Sequence, residues 1–237
     1  MKTKNVIPTI LVGLLVFLAA GAGAAEFKLR SPNDVTLHNV TAQAETYQGR
    51  DALKIELTDE IQRQILKGQG SNFPAFAILP ADFKNGIIEV DIAGELNGKG
   101  TPSARAFVGV AFHIPADRST YEAVYLRMKN GRLTQPTPPE PIISRAIQYT
   151  AHPDFHWPVS RKEFPGKYEK GANIAPGMWI HLRLEISGSE LKAFINDEKE
   201  PALTVGDLRF GNSTGKIGLW VDDGTAAYFS NLRIRQK

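Results

Sequence analysis

Trp179-Ile180-His181-Leu182-Arg183-Leu184-Glu185-Ile186 decides the fold. In an extended chain successive side chains point to opposite faces, so Ile180, Leu182, Leu184 and Ile186 share one face and His181, Arg183 and Glu185 the other. A helix would split the four aliphatics between two sides. The same period recurs in residues 86–92, where Ile88, Val90 and Ile92 oppose Glu89 and Asp91. Working outward, alternation and β-branched content predict further strands over residues 35–40, 52–57, 75–79, 105–114, 121–128, 144–149, 191–196, 216–221 and 227–234. Asn130-Gly131, Ser187-Gly188-Ser189 and Asp222-Asp223-Gly224 punctuate them as turns. Only residues 59–67, with Ile61, Ile65 and Leu66, carry a helical spacing, and they make one or two turns.

About eleven short strands without internal repeats or a break in composition predict an all-β fold, a single antiparallel sandwich of the jelly-roll kind over residues 26–237. Two smaller domains would need a linker. The one candidate, residues 130–176, holds eight of the 15 prolines but also Tyr149, Phe155, Trp157, Phe164 and Tyr168. That is too aromatic for a disordered tether, so an ordered excursion across the sandwich rim is expected.

Residues 1–25 read as a cleavable export signal. Lys2 and Lys4 precede an apolar run from Ile10 to Ala20, and Ala22-Gly23-Ala24 supplies small residues for cleavage near Ala25 or Glu26. The run is shorter than the roughly 20 residues that cross a bilayer, and Pro8 interrupts its start. The mature chain is therefore expected to be periplasmic or extracellular, without membrane insertion. Removing the signal also changes the charge argument. The whole chain carries 28 basic and 25 acidic residues and a net charge of +3. Without Lys2 and Lys4 the two signs nearly cancel, which removes the case for a nucleic-acid partner. The basic tail Arg233-Ile234-Arg235-Gln236-Lys237 reads as the solvent face of a last strand, with Leu232 and Ile234 inward.

With no cysteine, thiol nucleophiles and zinc-thiolate sites are excluded. Neither a phosphate-cradling Gly-x-x-x-x-Gly-Lys loop nor a Gly-x-Ser-x-Gly elbow is present. Glu89-Val90-Asp91-Ile92-Ala93-Gly94-Glu95 invites a glycosidase reading, because alternate residues of one strand can present paired carboxyl groups. Gly94 is expected to end that strand before Glu95. In His152-Pro153-Asp154-Phe155-His156 the prolines Pro153 and Pro158 argue against a helix, so the histidines gain no rigid metal geometry. No cofactor is predicted; calcium on Asp222 and Asp223 is the single structural-metal alternative, against an ordinary turn.

The strands at 105–114 and 121–128 are more informative. With Val108, Val110 and Phe112 inward, Arg105, Phe107 and His113 fall on the opposite face. In the next strand Tyr121, Tyr125 and Arg127 oppose Val124, Leu126 and Met128. Together with Gln148, Trp157 and Tyr168 they predict a floor of rings and planar donors, a surface suited to sugar hydroxyls and apolar C–H faces. The plain alternative is that these rings pack on one another beneath the excursion.

Ser119-Thr120-Tyr121-Glu122-Ala123-Val124-Tyr125-Leu126-Arg127, Ala146-Ile147-Gln148-Tyr149, and Gly215-Lys216-Ile217-Gly218-Leu219-Trp220 with Tyr228-Phe229-Ser230-Asn231-Leu232 together resemble the concanavalin A-like lectin/glucanase superfamily. More narrowly they resemble its bacterial exported branch, which includes laminin G-like and 3-keto-disaccharide hydrolase domains. The resemblance spans roughly residues 30–237. It implies a jelly roll with Tyr121, Tyr125, Arg127 and Gln148 in the ligand-facing sheet, and a carbohydrate or glycoside as partner. Three expectations stay open. One is sugar recognition on the concave sheet. Another is glycoside cleavage with Glu169, Asp154 or His152 moving the proton. The third is an envelope interaction domain using the same rings as a protein interface.

Overall fold

The computed structural model describes residues 24–70 and 72–237. In chain order its elements are β1 (Ala24–Phe27), β2 (Thr36–His38), β3 (Val40–Tyr47), β4 (Arg50–Leu57), α1 (Asp59–Leu66), β5 (Phe76–Phe83), β6 (Gly86–Leu96), β7 (Phe107–Ile114) and β8 (Tyr121–Arg127). They continue with β9 (Ile147–His152), α2 (Trp157–Glu163), β10 (Glu169–Lys170), β11 (Ile180–Ser187), β12 (Glu190–Ile195), β13 (Leu203–Val205), β14 (Gly215–Val221) and β15 (Thr225–Gln236). The strands form two antiparallel sheets. The first runs β13-β12-β11-β6-β15-β4-β3, with β1 also on β15, and the second runs β10-β9-β8-β7-β14-β5-β2.

Alternation sets which face each strand buries. Leu184, Leu182 and Ile180 of β11 lie beside Ile88, Val90 and Ile92 of β6, and all six are buried. From the second sheet Val108, Val110, Phe112, Val124, Leu126 and Ile147 meet them in the same core. Each such side chain contributes about 1.5–3 kcal/mol by leaving water, so a one-residue slip, which would turn the whole set outward, is strongly disfavoured. Leu232 and Ile234 of β15 are buried as the tail pattern predicts.

The structure departs from the sequence reading at definite points. Gly94 does not end β6, which continues through Glu95 to Leu96. Gly94 faces the core, where a Cβ would press on Val108 and Met128, so its lack of a side chain serves close packing of the sheets. Pro158 does not prevent a helix, because it stands in the first turn of α2, where its missing N–H costs nothing. The excursion is ordered but is more than a roof. It contributes β9 and β10 to the edge of the second sheet. Residues 1–23, which carry most of the predicted signal, lie outside the described residues. Ala24 and Ala25, at its expected end, open β1 opposite Arg235 and Ile234.

Candidate functional site

The second sheet has an unusual outer face. Phe76, Tyr121, Tyr125 and Trp220 are buried there around Ala111 and Ala123, forming an apolar cluster of their own. Gly109 stands between Tyr125 of β8 and Trp220 of β14. Its missing Cβ leaves the space into which Tyr125 packs, with the Tyr125 and Trp220 rings 4.7 Å apart.

A cleft of about 370 Å³ opens at one end of this face. Phe107, Tyr125 and Arg127 come from the sheet, and Asp222 and Asp223 from the turn after β14. Thr101, Ser103 and Arg105 form one wall and the end of α1, with Ile65, another. Trp157 and Arg161 of α2, with Ile142 and Arg145, close it from the excursion. Hydrogen bonds between distant segments hold the walls. Gln62 of α1 donates through Nε2 to Asp223 Oδ1 at 2.8 Å and accepts from the Gly224 N–H at 2.9 Å. The Thr101 hydroxyl and N–H both donate to Asp223. Asp223 is thereby spent as a clasp, and Asp222 faces the cleft.

Arginine dominates the electrostatics. Arg127 is buried, donates to the Tyr125 hydroxyl at 2.8 Å and to the Arg145 carbonyl at 3.3 Å, and stacks over the Tyr125 ring. Arg161 grips Glu169 with contacts of 2.7–2.9 Å while its guanidinium covers the Trp157 ring at 4.9 Å. Arg145 reaches the same carboxylate at 3.3 Å and Arg127 approaches it to 3.9 Å. Arg105 donates to the carbonyls of Pro102 and Ala104. Burial pushes the Asp222 carboxyl up to about 6, against the opposing pull of the Asp223 N–H. Asn130 also lines the cleft; it is buried, and its Oδ1 has no hydrogen-bond partner within the described protein.

Of the residues singled out from sequence, Arg105, Tyr125, Arg127 and Trp157 meet in this cleft. Four others are placed elsewhere. Tyr121 is wholly buried, stacked on His152 and edge-on to Phe76. Gln148 is buried beneath α2, with Nε2 3.4 Å from the Ser160 hydroxyl. Tyr168 packs into the main core against Tyr149 and Phe155, its hydroxyl donating to Asp207 at 2.7 Å. His113 does not share the outer face. A bulge in β7 gives it a positive φ of 56° and turns its ring to Glu122, at 2.7 Å, and to the Lys84 carbonyl, at 2.9 Å.

The proton-transfer candidates are likewise dispersed. Glu169 is buried under three guanidinium groups, and Asp154 borders a separate depression beside Phe155 and Arg209. His152 is covered by Tyr121 and lies 3.2 Å from His156, whose pKa burial lowers to about 4. On the outer face of the first sheet, Glu89, Asp91 and Glu95 are engaged with Arg235, with Arg50 and His181, and with the hydroxyls of Tyr47 and Tyr228. Each of the three carboxylates is thus held by partners of its own, and Asp91 and Glu95 stand four residues apart, about 13 Å between their backbones. Sequence reading treated Asp222 only as a turn or calcium residue and Asn130 only as a turn residue, and passed over Arg145 and Arg161. Their signal lay in the excursion's arginines, which have no periodicity to mark them.

Neither a protein-family model nor a curated protein matches the chain. Solved structures do. The chain is similar to a carbohydrate binding module, CBM66, from Bacillus subtilis, with 16% identity and a TM-score of 0.50, covering 84% of this chain and 97% of that one. It is also similar to a Bacillus subtilis protein of unknown function with a galectin-like fold, with 14% identity and a TM-score of 0.53, covering 90% and 94% of the two chains. The fold is an antiparallel jelly-roll β-sandwich of the concanavalin A-like, galectin-like type.

Proposed function

We propose that the cleft recognises a carbohydrate. The observation that carries this reading is the meeting, in one concavity, of guanidinium donors on Arg105, Arg127 and Arg145, the rings of Trp157, Tyr125 and Phe107, and the open acceptor of Asn130. Planar donors fit sugar hydroxyls and ring oxygens, rings cover the C–H faces, and an unpartnered buried acceptor calls for an O–H donor. The carbohydrate binding module supports the reading through its fold alone. In the narrower branch resembled by the sequence, laminin G-like and 3-keto-disaccharide hydrolase domains, the ligand would be a glycoside. Export through a cleaved signal, also part of this proposal, puts such ligands within reach. The mass of the protein recovered outside the cytoplasm tests it.

Cleavage is the second reading, favoured by Asp222. A carboxyl held near 6 in a cleft is suited to general acid work near neutrality. The experiment is calorimetric titration with a glycan panel, paired with product analysis. Trp157→Ala is expected to weaken binding roughly tenfold, about 1.4 kcal/mol, without loss of fold. Unaltered affinity in Trp157→Ala would remove the cleft as the site. Bond cleavage lost in Asp222→Asn with binding retained would establish the enzymatic reading.

A further inference from the structure

Around the cleft, charge is distributed in a way that carbohydrate recognition alone does not require. Outside the two lysines of residues 1–23, the chain holds 26 basic and 25 acidic residues, close to balance. Yet Arg105, Arg127, Arg145 and Arg161 line the cleft. A second concavity of about 540 Å³ shares Arg145 with this cleft and adds Arg132, Lys170 and the carboxylate of Glu169, which Arg145 reaches at 3.3 Å. Six cations thus border two adjoining cavities, against Glu169, Asp222 and Asp223. Glu169 is already shared by three guanidinium groups, and Asp223 is taken by Gln62 and Thr101.

Three of the cations have no carboxylate partner within 4 Å among the described residues. Arg105 donates to backbone carbonyls, Lys170 to the Gly166 carbonyl, and Arg132 weakly to the Asn173 amide at 3.5 Å. Buried Arg127 is a stronger sign. Its desolvation is a standing cost, met by Tyr125, a carbonyl and a distant share of Glu169. An incoming anion would supply what these partners leave unsatisfied.

We propose that the ligand is an acidic glycan bearing carboxylates, a uronate oligomer that lies across both cavities and places successive carboxylates against Arg105 and Arg127 on one side of Arg145 and Arg132 and Lys170 on the other. This rests on the carbohydrate reading above. Guanidinium forks match carboxylates geometrically, and the Trp157 and Tyr125 rings give the sugar faces a place to lie. A cleft in which the rings of Phe107, Tyr125 and Trp157 stand among the arginines favours a sugar acid over nucleic acid, which is held by basic stripes that track a phosphate backbone.

Binding of oligogalacturonides, neutral galactose oligomers of equal length, single-stranded DNA and polyphosphate to the full mature protein tests this. The acidic sugar is expected to bind at least about tenfold tighter than the neutral one, and to lose that margin as salt rises to roughly 0.5 M. Arg105→Ala and Lys170→Ala remove cations that leave no buried carboxylate unpaired, so the fold should survive, as circular dichroism will check. Lys170→Ala should weaken uronate binding about tenfold and change neutral-sugar binding less than about twofold, whereas Arg105→Ala, which also removes a donor to sugar hydroxyls, should weaken both and the uronate more. Equal, salt-insensitive binding of acidic and neutral oligomers would overturn the inference and leave the carbohydrate reading standing. Binding of DNA or polyphosphate as tight as uronate would overturn it in favour of simple polyanion attraction. Absence of binding to any glycan would overturn the carbohydrate reading itself.

Discussion

Asp222 shows how much one residue's surroundings decide. In sequence it belongs to Asp222-Asp223-Gly224, a turn. In the structure its carboxyl sits on the cleft floor, raised to about 6 by burial. Below about pH 4 the carboxyl is protonated in both folded and unfolded chains and costs nothing. Between about pH 4 and 6 the folded chain keeps a proton the unfolded chain has released, so stability falls as pH rises, and the full cost applies above 6. Asp222→Asn is therefore expected to stabilise the protein by about 1–3 kcal/mol at pH 7 and not at pH 3.5. Thermal melts at the two pH values check it, with a shift of roughly 2–4 °C per kcal/mol expected at pH 7. Equal shifts at both would deny the burial cost. Alternation placed Tyr125 and Arg127 on one face of the sheet, and the structure has both lining the cleft, because they lie in the regular strand β8. Asp222 was not legible as a cleft residue, because what buries it arrives from segments that no local pattern connects to it.

At the scale of elements, the bulge in β7 decides what His113 does. Counting alternate residues puts His113 beside Arg105 and Phe107. The bulge takes up one extra residue against β14 and turns the ring inward to Glu122. Glu122 is fully buried and accepts as well from the Tyr149 hydroxyl at 2.5 Å and the Phe210 N–H at 3.1 Å. Removing the carboxylate would orphan three donors at once. Glu122→Ala is expected to cost about 3–5 kcal/mol in denaturant unfolding, and Tyr149→Phe, which loses one hydroxyl, about 1–2 kcal/mol. A cost below about 1 kcal/mol for Glu122→Ala would mean the network carries little of the stability. The alternation of β6 and β11 was readable because one face is buried and the other is not, and that of β8 because its two faces, both buried, differ in chemistry, aliphatic Val124 and Leu126 on one and Tyr121, Tyr125 and Arg127 on the other. The bulge was not, since an inserted residue leaves the composition of β7 unchanged. Nor was β3, an edge strand whose Thr, Gln and Glu residues give no apolar stripe. For α2, the prolines suggested absence of a helix, although one of them starts it.

Across the whole molecule, the sandwich is a scaffold whose core is separate from the cleft. The two sheets meet in one core, while the cleft is made on the outer face of the second sheet by pieces of chain far apart in sequence. The Gln62–Asp223 bond spans 161 residues and the Thr101–Asp223 bond 122. No reading of local period can foresee such a clasp, which is why the fold was legible and the closure of the site was not. The clasp also separates two kinds of variant. Trp157 is 44% exposed, so its loss should subtract ligand contact with little effect on folding. Asp223 is buried and joins α1, the segment at Thr101 and the turn after β14, so Asp223→Ala leaves Gln62 and Thr101 without their acceptor. That variant is expected to lose about 2–4 kcal/mol of stability, to expose the α1 amides to hydrogen exchange, and to lose ligand affinity with them. Exchange confined to α1 and the 97–104 segment, with the strands of the core still protected, would show the site held by the clasp and the sandwich standing without it. Uniform loss of protection across both sheets would show instead that cleft and core fold as one unit.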